Sequence, residues 1–196
     1  MPPIKSENVS WQFETDKINF YAYKDNFLSP LECDQIIEIG NTKKLQIGTT
    51  KDNNKKKTRK SNISWLSPSD NLEWLYRRLT DTITDLNNQF FGFDIFGIQE
   101  GLQFTNYKAP GGKYDSHTDR AYGTIIRKLS ISIQLTNEDN YNGGDLELLQ
   151  SDKADKMERT QGKLIMFPSF VQHRVTPVTK GERNSLVIWV TGNNFK

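Results

Sequence analysis

The stretch LSISIQL, residues 129–135, alternates apolar and polar side chains without a break, and its reading decides the fold class. A period of two belongs to a β-strand, whose successive side chains point to opposite faces, so Leu129, Ile131, Ile133 and Leu135 are expected to meet a core. Similar runs surround it. Residues 102–107 lead into the turn Ala109-Pro110-Gly111-Gly112, and Asn142-Gly143-Gly144 is a turn ahead of 145–149. Residues 163–167, 172–176 and 185–191 complete the set. Short strands at roughly ten-residue spacing predict a sandwich, barrel or jelly roll.

The N-terminal side carries helix signals instead. In Ser29-Pro30-Leu31-Glu32 the serine is an N-cap, the proline takes the first helical position and an acid sits in the first turn. Ile36, Ile37 and Ile39 then supply an apolar side, and Gly40-Asn41 predicts a stop. Ser67-Pro68-Ser69-Asp70 predicts a second start. From there Leu72, Leu75, Leu79, Ile83, Leu86 and Phe90 recur at three- and four-residue steps, an amphipathic helix of about five turns. The polar run 51–57 reads as an exposed basic loop. The expected organisation is one domain over residues 1–196, mainly β with N-terminal helices. Its helix-rich support covers about 20–95 and its strand-rich half about 99–192.

Composition narrows the function classes. The chain has 196 residues, with 26 Lys+Arg against 24 Asp+Glu, so net charge gives no case for nucleic-acid binding. The single cysteine, Cys33, excludes an internal disulfide framework and any multi-cysteine metal site. No apolar run is long enough to span a membrane, and Met1-Pro2-Pro3-Ile4-Lys5 lacks a signal-peptide pattern, so a reducing cytoplasm is the expected compartment. Nothing in the pattern calls for more than a monomer.

Only two histidines occur, His117 and His173, both in the strand-rich half. On extended backbone His117 and Asp119 share a face and reach one ion together, and His173 can supply a third donor. Two imidazoles and one carboxylate form the facial triad of non-haem Fe(II) oxygenases, which leaves positions open for a co-substrate and O2. Taken singly, either histidine reads equally well as a hydrogen-bonded core or surface imidazole. Downstream, Arg183 and Ser185 are two apart on a strand. Their fork and hydroxyl suit a carboxylate, so one end of a 2-oxo diacid would meet the metal while the other is anchored.

These motifs resemble the Fe(II)/2-oxoglutarate-dependent dioxygenases, and within them the prolyl 4-hydroxylase-like branch. The resemblance runs from about Tyr21 to the C-terminus. It rests on Tyr23 to Cys33, on Leu102-Gln103-Phe104-Thr105-Asn106-Tyr107, on Gly111-Gly112-Lys113-Tyr114 with His117-Thr118-Asp119, and on Tyr141-Asn142-Gly143-Gly144-Asp145-Leu146. The closing motif, Gly162 to Pro168 followed by His173, Val175, Pro177 and Arg183, completes it. The resemblance implies a double-stranded β-helix, or jelly roll, with His117, Asp119 and His173 as iron ligands and Arg183 on the distal carboxylate of 2-oxoglutarate.

It further implies Tyr107 in the oxoglutarate pocket, Tyr114 near the metal, Trp189 beside the substrate proline and Arg127 at the substrate entrance. Gln134 stands where some relatives carry a tyrosine that assists the distal carboxylate. Its amide can still donate a hydrogen bond. Fe(II), 2-oxoglutarate and O2 are the implied cofactors and co-substrates, with ascorbate an additional candidate. The implied partner is a prolyl peptide or protein. Another residue, a free amino acid or a small metabolite is the alternative, and a catalytically silent jelly-roll binding module is the rival from another class. The basic run 49–59 is either a solvated loop or a closure over an acidic peptide.

Overall fold

The computed structural model describes residues 18–48, 58–120, 125–150 and 152–194, so most of the basic run 49–59 lies outside the described residues. In chain order the elements are β1 (Ala22–Lys24), α1 (Pro30–Thr42), β2 (Gln46–Ile47), β3 (Arg59–Lys60), β4 (Asn62–Leu66) and α2 (Glu73–Phe90). There follow β5 (Ile95–Gly97), β6 (Leu102–Lys108), β7 (Gly112–His117), β8 (Arg127–Gln134), β9 (Tyr141–Gly143) and β10 (Leu146–Gln150). The last are β11 (Lys153–Lys156), β12 (Leu164–Pro168) and β13 (Gln172–Gly192). Among the described residues no helix is long and apolar enough to cross a membrane.

The strands form an antiparallel jelly roll whose two sheets share β13. One sheet runs β1-β12-β8-β13-β6-β4-β2. The other joins β11, β10, β7, β3 and β9 around the first half of β13. Two separate strands, 172–176 and 185–191, are predicted within the span of β13, with Pro177 and Gly181 between them. The structure instead has one continuous strand that crosses between sheets at those residues. Gly181, at φ 71, pairs with Tyr141 at the crossing, and a side chain there would meet the Asn140 carbonyl.

Alternation along the central strands sorts their side chains to two destinations. Leu129, Ile131 and Ile133 of β8, with Leu186, Ile188 and Val190 of β13, join Leu75, Leu79 and Ile83 of α2 in one buried apolar cluster. Each such side chain contributes about 1.5–3 kcal/mol on leaving water. The opposite face carries Ser130, Ser132 and Gln134, yet it does not face solvent, since all three are buried. It lines the interior of the roll.

The helices are built as their caps predict, with two differences. Ser29 accepts from the Glu32 amide (3.3 Å) and Glu32 accepts from the Ser29 amide (2.8 Å), closing a capping box at α1. The predicted stop at Gly40 is passed over, because that glycine serves packing. A Cβ there would lie 2.4 Å from the Phe104 ring, so α1 sits on β6 only with hydrogen at this position. At the second predicted start, Ser67 and Asp70 close their box on a short 3-10 turn, Pro68–Asp70. Asn71 then takes a left-handed conformation (φ 61) before α2 begins.

Arg78 of α2 binds both Glu32 oxygens (2.7 and 3.1 Å), tying the start of α1 to the second helix. That hydrogen-bonded guanidinium holds the Glu32 carboxyl down at about 2. A depressed carboxylate stabilises the fold above its unfolded value near 4.5, and the contribution disappears as pH falls toward 2. Glu32→Gln keeps the cap geometry and loses only the charge. It is expected to lower unfolding free energy at pH 7 by about 0.5–1 kcal/mol, because the pair is partly exposed. The gap between variant and wild type should narrow steadily in urea titrations from pH 4.5 to pH 2. A gap independent of pH would contradict this.

Candidate metal centre

His117 ends β7 and His173 lies near the start of β13, and the two are direct cross-strand partners. Asp119 follows two residues past His117, where its amide donates to the Ser169 carbonyl (3.0 Å) and fixes its place. Pairing between β7 and β13 therefore brings together three residues from distant parts of the chain. The Nε2 atoms of His117 and His173 lie 3.6 and 3.5 Å from the two carboxylate oxygens of Asp119. All three donor atoms fall within 4.8 Å of one another.

Second contacts decide which atoms point inward. The Nδ1–H of His117 donates to the Asp115 carbonyl (2.8 Å), and that of His173 to the Val171 carbonyl (3.0 Å). A carbonyl only accepts, so Nδ1 carries a proton in each ring and Nε2 is the nitrogen that faces Asp119. Burial, reinforced by neighbouring His173, pushes the His117 pKa down to about 4, so this imidazole is neutral at pH 7. For Asp119, burial acts upward, but the imidazoles of His173 and His117 and the Ser130 hydroxyl outweigh it, and the carboxyl stays below its ordinary value. Ser130 donates to Asp119 Oδ2 at 2.8 Å. Two imidazoles, each with Nε2 turned inward, and one carboxylate on one side of a cavity are the donor set a ferrous ion takes with positions left open.

The cavity has a volume of about 650 Å³ and extends from these residues into the roll. At its inner end lies Arg183, 1% exposed. Its Nη2 donates to Gln134 Oε1 (2.8 Å) and its Nη1 to Ser185 Oγ (3.3 Å). The Tyr107 ring lies beneath it, 5.5 Å from Cζ. Register explains this grouping, since Arg183 is opposite Tyr107 and Ser185 is opposite Gln134. Its Nε makes no hydrogen bond, and among the described residues no carboxylate pairs with the guanidinium. Burying an uncompensated charge costs several kcal/mol, so a fold that retains one has a use for it.

Toward the opening, Tyr114 stacks on His117, with centroids 3.5 Å apart. Arg127 lies over Trp189, its Cζ 3.7 Å from a ring centroid, and both Glu100 oxygens fix it at 2.6 and 2.7 Å. The structure thus brings every predicted site residue to one cavity or directly behind it. Sequence reasoning passed over Ser130, Glu100 and Trp65, and named Arg59 only as the end of the basic run. Arg59 lies over the Tyr114 ring at 4.7 Å, and Trp65 faces Trp189 at 6.2 Å. Ser130 was discoverable, since it shares the polar face of β8 with Gln134. The others meet the site only through long-range pairing.

Residues 102–191, which hold His117, Asp119, His173 and Arg183, match the family model described as the 2OG-Fe(II) oxygenase superfamily. A "PKHD-type hydroxylase" of Teredinibacter turnerae is 36% identical over 86 residues, covering 41% of this chain and 38% of that protein. One of Synechococcus sp. is 39% identical over 80 residues, covering 40% and 36%. The match thus spans well under half the length of these curated relatives. A Pseudomonas putida prolyl-4-hydroxylase has TM-score 0.70 at 22% identity, over 89% of this chain and 94% of that one. A Trichoplax adhaerens prolyl hydroxylase, solved with a hypoxia inducible factor peptide fragment, has TM-score 0.74 at 19% identity, over 89% and 84%. At such identities the likeness is one of fold.

Proposed function

We propose, from the premise that residues 102–191 form a 2OG-Fe(II) oxygenase domain, that this protein hydroxylates a prolyl residue in a peptide or protein with 2-oxoglutarate as co-substrate. One observation carries the reading: a fully buried arginine without a carboxylate partner shares its cavity with a His-Asp-His donor set. His117, Asp119 and His173 would hold Fe(II), each imidazole through Nε2 and the aspartate kept ionised and oriented by Ser130. Bound there, Fe(II) with O2 would supply the oxidant that converts a substrate C–H to C–OH while 2-oxoglutarate becomes succinate and CO2.

The remaining roles belong to the chain itself. Arg183 would neutralise the distal carboxylate of the co-substrate, with Ser185 and Gln134 fixing the plane of the guanidinium and Tyr107 walling the pocket beneath it. Leu146, Phe167, Val175 and Val187 line the same cavity and limit water around it. At the mouth, Trp189, with Arg127 over its ring, and Tyr114, stacked on His117, would supply aromatic surface to a pyrrolidine ring. Arg127, held by Glu100, is placed to donate to a peptide carbonyl. A reducing cytoplasm suits a ferrous site and the lone thiol of Cys33.

The test is Fe(II)-dependent turnover. Incubation with O2, 2-oxoglutarate and a panel of proline-containing peptides is expected to yield succinate, with a matching gain of one oxygen on the accepted peptide by mass spectrometry. Succinate formed with free amino acids alone, and with no peptide modified, would move the substrate assignment to the smaller class. No succinate under any condition would leave a binding module as the reading.

A further inference from the structure

Near Arg183, and not among the residues that line the cavity, is a second buried group with an unsatisfied polar atom. Tyr141 of β9 is 1% exposed, and its hydroxyl has no hydrogen-bond partner. The Nε–H of Arg183 is the complementary orphan, a buried donor without an acceptor. Gly144 is packed against both residues. With φ 65 it has no side chain to intrude, and a Cβ there would come within 3.1 Å of Arg183 Cδ and 3.5 Å of Tyr141 Cε2. Burial raises the Tyr141 phenol pKa, and Arg183 and Arg159 act against that rise, as cations close to the hydroxyl would. Arg159 covers the other side of the ring, its Cζ 5.0 Å from the centroid.

We infer that Tyr141 is a positioning residue for Arg183: when the guanidinium meets the distal carboxylate of a 2-oxo diacid, its Nε–H, unbonded in this ligand-free structure, donates to the Tyr141 hydroxyl oxygen, which sets the angle of the fork. The inference rests on the oxoglutarate reading and adds to it a residue outside the cavity wall. Ser185, Gln134 and Tyr141 then meet the guanidinium from three directions, Nη1, Nη2 and Nε. The Tyr141–Gly144 segment gains a function beyond its turn, because the glycine clears the space in which tyrosine and arginine meet. In this arrangement Gln134 and Ser185 are not the only residues that fix the anchor.

The test is the variant Tyr141→Phe, which removes one oxygen from a site already free of hydrogen bonds and is expected to melt no lower than wild type. Binding is measured anaerobically by calorimetry on Mn(II)-loaded protein, with 2-oxoglutarate and with 2-oxopentanoate, which carries a methyl in place of the distal carboxylate. Loss of one hydrogen bond to a charged group predicts about tenfold weaker 2-oxoglutarate binding, with 2-oxopentanoate unchanged. Equal losses for both acids, or no loss for either, would overturn the inference. Wild-type protein that binds neither acid would instead overturn the oxoglutarate reading beneath it, and the two failures are told apart by that control.

Discussion

An Asp119→Ala variant is expected to lose roughly 100-fold or more in ferrous affinity while keeping its fold. Asp119 is the one charged donor of the three. Without it only the two imidazoles remain, and a dication loses both a short bond and its local neutralising charge. The two histidines stay in place, because β7–β13 pairing and the Asp115 and Val171 carbonyls hold them, not Asp119. The effect therefore belongs to the metal. It is read by anaerobic titration with Fe(II) and by the stabilisation that ligand brings, about 2.7 kcal/mol for wild type at a concentration 100 times Kd. Ser130→Ala, which removes only the hydroxyl that orients Asp119, should fall between, at about tenfold weaker binding. If Asp119→Ala titrates like wild type, the three residues are not a metal centre.

Arg183→Met should change stability and binding in opposite directions. In the ligand-free protein the guanidinium is an uncompensated buried charge, held by two neutral oxygens. An unbranched apolar side chain of similar length removes the desolvation penalty, although it leaves Gln134 and Ser185 each short of one donor. The balance favours methionine, by about 1–3 kcal/mol in unfolding free energy. Affinity for 2-oxoglutarate falls in the same variant by roughly 100-fold, because the distal carboxylate is then buried without a counter-charge. Urea unfolding and a thermal-shift titration on the same preparation read both halves. An ordinary structural arginine would behave otherwise, with stability lowered and no ligand affected.

The polar half of 129–135 shows where sequence reading stopped. Alternation located β8 and its buried apolar face, because packing against α1 and α2 requires that pattern. The same alternation cannot say whether Ser130, Ser132 and Gln134 face water or a lined interior, since closure of the roll is a property of both sheets together. The facial triad was legible because His117 and Asp119 share a short motif and only one other histidine exists to join them. Arg183 with Ser185 was legible for the same local reason. Glu100 and Trp65 were not, because nothing near them in the chain marks them, and they reach Arg127 and Trp189 only through strand pairing. The break expected between 172–176 and 185–191 spans Pro177 and Gly181 and is absent. Such residues usually end a strand, but here they sit where one strand bends from one sheet to the next. Gly40 misled similarly, since a glycine near a helix end marks a stop unless a buried ring such as Phe104 requires the gap.

The measurement that bears most directly on the whole account is an anaerobic titration of the wild-type chain with Fe(II) and 2-oxoglutarate, followed through the visible charge-transfer absorption of a ferrous 2-oxo acid chelate. The account predicts an absorption that needs both additions, saturates at one equivalent of iron, and is absent from His117→Ala and His173→Ala. An absorption that persists undiminished in those variants, or wild-type protein in which it never develops, would contradict it.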